Sequence, residues 1–246
     1  MQINKIYNEN CLETMSKMPD DFIDLTITSP PYNMRTRIRN GKYTTREKSE
    51  HFSKKYKHFH DAYSIEDYYD VHKEILTELL RVSKTIIWNI SIVTGSKEAI
   101  FKLLGYFAKN IKDVIIWDKG NGQPAMHEGC INRATELLFI LENDSMAGRV
   151  LNRFNFERGT LDDIWRIKRQ RSITKYNSAV FPELLAGKAI KNFSKIGDIV
   201  YDPFMGSGTT AKMAIKYNRN YIGSEISKES CEVIEKRLES VQTEWI

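Results

Sequence analysis

Asp202-Pro203-Phe204-Met205-Gly206-Ser207-Gly208-Thr209-Thr210 is the stretch that decides how this chain is read. It follows an apolar segment, Asp198 to Tyr201, that reads as a strand, and it opens a helical pattern from about Thr209 to Tyr217. Glycines in a strand-to-helix turn let the backbone approach a ligand closely. The next strand, Asn220 to Gly223, runs into Glu225, 23 residues after Asp202. An acid at that place can accept hydrogen bonds from ribose hydroxyls. Together these residues predict a site for a nucleoside-containing cofactor without saying which one. Gly206-x-Gly208-x-x-Ala211 also satisfies the dinucleotide fingerprint, so a nicotinamide dehydrogenase stays open on this motif, as does a tight turn with no ligand.

Outward from this motif, strands and helices alternate. Ile23 to Thr28 reads as a short buried strand ending at Ser29-Pro30-Pro31. Residues 65–82 repeat apolar positions at helical spacing (Ile65, Tyr68, Tyr69, Ile75, Leu76, Leu79, Leu80, Val82), and residues 97–108 do so with Ile100, Leu103, Leu104 and Phe107. Thr85 to Ile90, Val114 to Trp117 and Glu136 to Leu141 read as strands, and residues 227–241 as a closing amphipathic helix. Such alternation predicts an α/β fold, a mostly parallel sheet with helices on both faces. The 246 residues suit a single domain, 1–246.

Charge is unevenly spread. The chain carries +5 overall, but residues 33–60 hold nine Lys/Arg against two acids, a net of +7. Tyr43, Phe52, Tyr56 and Phe59 are interleaved with them. Residues 149–175 hold eight Lys/Arg against three acids, a net of +5, and include Trp165. Neither stretch shows clear periodicity. They read as solvated loops or as phosphate-contacting surfaces carrying aromatics, and segments 33–62 and 145–178 are the expected insertions that would carry such a surface. The candidate contacts are Arg35, Arg37, Arg39, Lys54, Lys55 and Lys57 in the first, and Arg166, Lys168, Arg169 and Arg171 in the second.

Other chemistries are disfavoured. Cys11, Cys130 and Cys231 are far apart, odd in number and form no CxxC, as expected of reduced thiols. The N-terminus, Met1 to Lys5, is polar, and no apolar run approaches the ~20 residues of a membrane span, so a soluble cytoplasmic protein is expected. His58-x-His60 has no Cys or carboxylate cluster at ligand spacing, so no metal is expected.

The second informative motif is Thr28-Ser29-Pro30-Pro31-Tyr32-Asn33. Two prolines stiffen the loop, which can then hold the Ser29 hydroxyl and the Pro30 carbonyl as acceptors. The lone pair of an exocyclic amino group is delocalised into the base and is a poor nucleophile. Two acceptors gripping its hydrogens would free that lone pair, with Tyr32 stacking on the extruded base. The competing interpretation is a rigid turn. Trp88 and Asn89, ending a strand, are candidates for lining the same pocket or for core.

These residues carry a resemblance. Ser29-Pro30-Pro31-Tyr32 resembles the [DNS]-P-P-[YFW] motif of the amino-group DNA methyltransferases of restriction-modification systems, and Asp202 to Thr210 resembles their AdoMet-binding D-P-F-x-G-S-G-T-T. The order, catalytic motif first and cofactor motif late, resembles the permuted β class. Ile6-Tyr7-Asn8-Glu9-Asn10-Cys11-Leu12 is similar to the family opening, Val114 to Gly120 to an internal strand and loop, and Phe181-Pro182-Glu183-Leu184-Leu185 to the segment closing over the methionine end of the cofactor. Asn10 stands where the family opening usually has Asp, and a His or Lys common near the Phe-Pro segment is absent.

The resemblance implies a Rossmann-like fold and direct methyl transfer from S-adenosylmethionine (AdoMet) to the amino group of a flipped base. Ser29, Pro30, Pro31 and Tyr32 would be catalytic. Asn10, Cys11, Phe181, Pro182, Asp202, Pro203, Phe204, Gly206, Ser207, Gly208, Thr209, Thr210 and Glu225 would hold the cofactor. In the family, Ser at the first motif position is typical of N4-cytosine enzymes and Asp of N6-adenine ones, so Ser29 favours cytosine, with adenine as the alternative. No Cys follows a Pro, as carbon-5 methylation would need. The implied partner is double-stranded DNA, with room for a cognate restriction endonuclease and for a monomer or a homodimer. RNA or protein N-methylation, and a non-catalytic DNA-binding module, are the remaining alternatives.

Overall fold

The computed structural model describes residues 1–34, 36–39, 42–45, 63–123, 128–143, 148–170 and 181–243. In chain order the elements are β1 (Lys5–Tyr7), α1 (Cys11–Ser16), β2 (Ile23–Thr28), β3 (Thr36–Arg39), β4 (Lys42–Thr45), α2 (Ile65–Val82), β5 (Ser83–Ile90), α3 (Lys97–Tyr106), β6 (Ile111–Gln123), β7 (Arg133–Leu141), β8 (Ile164–Arg166), α4 (Glu183–Phe193), β9 (Ile199–Asp202), α5 (Thr209–Lys216), β10 (Asn220–Ser224) and α6 (Lys228–Thr243).

Eight strands form one sheet in the order β1-β10-β9-β2-β5-β7-β6-β8. Only β7 runs against its neighbours, so the sheet is mostly parallel, as the alternation predicts. Parallel neighbours need crossover connections. Here α5 carries the chain from β9 to β10 and α2 carries it from β2 to β5, in opposite directions along the sheet. The adjacent strands β9 and β2 therefore flank the switch point, where open α/β sheets bind ligands at their carboxyl ends. Both motifs singled out in the sequence leave from these two strand ends.

Helices cover both faces. Ile86, Trp88, Phe139, Leu141 and Tyr201 pack with the apolar sides of α1, α2 and α3. Ile87, Leu138, Ile140 and Val200 pack with those of α4, α5 and α6. Consecutive residues thus feed opposite cores, the period-2 rule of a sheet buried on both sides. Helix α2 starts because the Ser64 hydroxyl caps it, accepting from the Asp67 amide at 3.0 Å, with Glu66 and Asp67 in its first turn.

Several details differ from the sequence expectation. β6 is longer than Val114–Trp117 because it continues through two irregularities in its pairing with β7. The aperiodic reading of 33–60 misses β3 and β4, which pair antiparallel with Ile38 opposite Tyr43. Trp165 is no exposed aromatic: it is fully buried on β8, its indole N–H donating to the Asp162 carbonyl and Lys188 Nζ lying 4.6 Å from its ring. Short β1 and α1, and the whole of α4, also fall outside the sequence reading. No helix among the described residues is long and apolar enough to cross a membrane.

Candidate functional site

Asp202 ends β9 with its carboxylate turned inward. Oδ1 accepts from Thr28 Oγ1 (2.9 Å) and from the Phe204 amide (3.0 Å), and Oδ2 accepts from Thr210 Oγ1 (2.7 Å). One buried acid thus ties the end of β2, the Gly-rich turn and the first turn of α5 together. Burial lifts its pKa to about 6 against three hydrogen bonds that favour the charge.

The turn itself is shaped by two left-handed glycines. Gly206 (φ 55°) donates its amide to Glu225 Oε2 at 2.9 Å, and a Cβ there would make only an ordinary contact, 3.7 Å from the Phe204 carbonyl oxygen. Gly208 (φ 76°) precedes α5, and a Cβ there would lie 2.7 Å from Ile234 of α6. Gly208→Ala is therefore expected to lose about 2–3 kcal/mol of stability through strain plus overpacking, and Gly206→Ala only about 1 kcal/mol. Chemical denaturation of both variants checks the difference. The Ser207 hydroxyl is 3.3 Å from Thr209 Oγ1, and Arg237 donates to the Ser207 carbonyl and to Glu183. Pro203 and Thr209 are buried, and Phe204 is half-buried against the α1–α3 core.

Glu225 follows β10. Besides Gly206 it accepts the Ser227 amide at 2.9 Å, and its own amide donates to the Tyr7 carbonyl at the end of β1. Burial raises its pKa. Asn10 caps α1, its Oδ1 accepting from the Leu12 amide, and Cys11 behind it is buried, its thiol pushed to about 12 by burial. Pro182 is buried at the start of α4, and Phe181 packs half-buried on the α4–α6 core. The left-handed glycine turn at Gly206 and the carboxylate of Glu225, at neighbouring strand ends, suit a nucleoside ribose.

The loop after β2 is pinned along its length. Thr28 holds Asp202. The Pro31 carbonyl accepts from the buried Tyr68 hydroxyl at 2.8 Å, and the Tyr68 ring stacks on His72 at 3.9 Å. Burial keeps His72 neutral, its pKa lowered to about 4. Asn33 takes a positive φ of 59° and ties the loop to the Tyr63 backbone and the Gly95 carbonyl. Pro30 is buried; Ser29 and Tyr32 are half-buried.

Between these pins lies a polar network that sequence reasoning missed in part. Tyr32 Oη is 2.8 Å from Ser29 Oγ and donates to Glu136 Oε2 at 3.0 Å. Asn89 Nδ2 donates to Tyr32 Oη (2.7 Å), Glu136 Oε2 (3.0 Å) and Ser29 Oγ (3.2 Å). Glu136 Oε1 accepts from Lys119 Nζ at 2.9 Å, and the Lys119 side chain is only 3% exposed. Burial lowers the Lys119 pKa, and Arg169 and Arg133 lower it further, which brings the second basic segment within electrostatic reach of this network. Of the two strand-end candidates, Asn89 joins the site and Trp88 is core. The available signal was a polar residue set against an apolar run in each of two strands, Asn89 within Ile86–Ile90 and Glu136 before Leu137–Leu141.

Among the candidate DNA contacts, Arg166 is exposed, 3.9 Å from Asp118, and Lys168 and Arg169 are exposed beside it. Arg37 and Arg39 lie on β3. Arg35, Lys54, Lys55, Lys57 and Arg171 fall outside the described residues.

A family model described as DNA methylase, for N6 and N4 methyltransferases, matches residues 23–236. The chain is 32% identical to the orphan methyltransferase M.BamHII of Bacillus amyloliquefaciens over 270 residues, covering 90% of each chain. It is 29% identical to the type II methyltransferase M.HinfI of Haemophilus influenzae, covering 98% of this chain and 69% of that one. Its fold superposes on the cytosine-N4-specific PvuII DNA methyltransferase with a TM-score of 0.71 at 15% identity, over 99% of this chain and 91% of that one. It also superposes on the M1.HpyAVI–SAM complex with a TM-score of 0.61 at 21% identity, over 95% and 98%.

Proposed function

The chain belongs to the N6/N4 DNA methylase family, hence to the DNA methyltransferases, and on that premise we propose that it transfers a methyl group from AdoMet to N4 of an extruded cytosine in duplex DNA. The observation that carries this is the Thr28–Asp202 hydrogen bond, 2.9 Å long and buried, which fastens the acceptor-bearing loop to the nucleoside-binding turn across the switch point. Methyl donor and acceptor are thereby held by adjacent strand ends, and positioning of this kind supplies much of the rate.

The ribose would rest on Glu225 over Gly206, with Asn10, Cys11, Phe181, Pro182, Pro203, Phe204, Ser207, Gly208, Thr209 and Thr210 bordering the cofactor and Asp202 organising them from behind. When bound, AdoMet supplies an activated methyl group: the amino lone pair forms the N–C bond, the C–S pair stays on sulfur, and one amino proton leaves to solvent. Ser29 Oγ and the Pro30 carbonyl accept the two amino hydrogens and so orient the lone pair. Pro31 keeps that loop rigid, and the Tyr32 ring stacks on the base. Digesting methylated duplex to nucleosides tests the base: N4-methylcytosine is expected, and N6-methyladenine would replace cytosine with adenine while leaving the reaction in place.

The exposed Arg166, at the end of the strand paired with β6, and Lys168 and Arg169, which follow it, fit phosphate contacts in the 145–178 segment. Arg35, Arg37, Arg39, Lys54, Lys55, Lys57 and Arg171 are assigned the same role from charge alone. Neutralising Arg166, Lys168 and Arg169 together should make the slope of log affinity against log salt shallower by about 2–3. Binding titrations across salt concentrations read this, and an unchanged slope would remove the segment from the interface.

A further inference from the structure

Building on this assignment of Ser29, we propose that Glu136, held by Lys119, is a positioning residue that fixes the direction of the Ser29–Tyr32–Glu136 hydrogen-bond chain so that Ser29 Oγ offers a lone pair to the substrate amino group.

The direction follows from counting hydrogens. Tyr32 has one hydroxyl hydrogen, and the Glu136 carboxylate, an acceptor only, takes it. The Ser29–Tyr32 contact at 2.8 Å must then run from the serine O–H to the phenol oxygen. The second phenol lone pair receives Asn89 Nδ2. Ser29 Oγ is left with two lone pairs, one facing the long Asn89 contact at 3.2 Å and one without a donor among the described residues. Ser29 is half-buried, so a substrate N–H can reach it. With the chain reversed, the serine would present its hydrogen to an amino group, donor against donor, and the grip on the amine would be lost.

Lys119 fixes the other end. It occupies Glu136 Oε1 at 2.9 Å and leaves Oε2 for Tyr32 and Asn89. It would also dictate the geometry of Glu136→Gln. The new amide would keep its oxygen on Lys119 and turn its NH₂ toward Tyr32 and Asn89. Asn89 would keep its Nδ2 on Tyr32 Oη and draw back only from position 136, where two donors would now meet. Tyr32, now accepting from the glutamine, would send its hydrogen to Ser29. The substitution reverses the chain without emptying it.

Glu136→Gln is expected to lower kcat at least about tenfold, the loss of one acceptor on the amine, with KM for AdoMet and DNA unchanged. Adding Tyr32→Phe removes the hydrogen that turns onto Ser29, so the double variant should recover part of the activity lost by the single one. A purely structural role for Glu136 predicts no such rescue. Glu136→Asp, which keeps the charge beside Lys119 but withdraws it from Tyr32, should give the same loss and the same rescue if Glu136→Gln does not fold. Wild-type activity in the folded Glu136 variant, or equal loss with and without Tyr32→Phe, would overturn the inference. Failure of the underlying assignment looks different: the wild-type protein itself would transfer no methyl group to DNA.

Discussion

Asp202→Ala should cost about 3–5 kcal/mol of stability, because it strands the Thr28 and Thr210 hydroxyls and the Phe204 amide in a buried place where each unpaired group costs about 1–3 kcal/mol. It should also weaken AdoMet binding at least about tenfold, since the turn and the loop lose their common anchor. Asp202→Asn behaves differently. Its carbonyl can still accept from Thr28 and Phe204, and its NH₂ can donate to Thr210, so the fold should survive. The wild-type carboxyl titrates at about 6 when folded, against an ordinary value of 3.8. The folded state therefore holds a proton between these pH values that the unfolded chain has lost. The stability this contributes is full below pH 3.8 and disappears as pH rises through about 6, a span worth about 3 kcal/mol. Asn does not titrate. The stability of Asp202→Asn relative to wild type should therefore climb between about pH 4 and 6 and be flat on either side. His72, whose pKa falls to about 4, works in the opposite sense over the same range, but it is common to both proteins and cancels in the difference. Urea unfolding of the two proteins across this range reads the effect directly, and a difference independent of pH would mean that the Asp202 carboxyl is not desolvated.

Ser29→Ala should reduce kcat by about 10²–10³, the usual effect of removing one preorganised hydrogen-bonding group at a reacting centre. The loss should be confined to the chemical step. Tyr32 would still donate to Glu136 and accept from Asn89, Pro31 would still be held by Tyr68, and Thr28 would still hold Asp202. Equilibrium binding of AdoMet and of DNA should therefore stay at wild-type strength while single-turnover methylation collapses. A kcat within a few-fold of wild type would leave the Pro30 carbonyl as the only acceptor needed and remove Ser29 from the chemistry.

The sequence made the strand-end motifs legible because each is contiguous. Ser29 to Asn33 and Asp202 to Thr210 carry their chemistry in neighbouring residues, and the strand before each is apolar enough to read. The contact that joins them, Thr28 to Asp202, spans 174 residues and depends on β2 lying beside β9. Periodicity does not say which strands are neighbours. The same holds for Asn89, Lys119 and Glu136, which come from β5, β6 and β7 and meet only because β7 is inserted antiparallel between the other two. Trp165 shows the converse: composition placed it in a basic, aromatic stretch, whereas three residues of strand on the edge of β6 bury it completely. β3 and β4 carried a sequence signal that charge obscured, Thr, Arg and Ile in alternation followed by the dipeptide Asn-Gly, which favours hairpins in general.

The most direct test of the account is to follow the methyl group itself. The protein is incubated with AdoMet bearing a trideuterated methyl and unmethylated bacterial duplex DNA, and the DNA is digested to nucleosides for mass spectrometry with fragmentation. The expected result is a three-deuterium methyl on the exocyclic nitrogen of one base, formed about 10²–10³ times more slowly when Ser29→Ala replaces the wild type. Label on a ring carbon, or no label in any nucleoside while AdoMet binds, would contradict it.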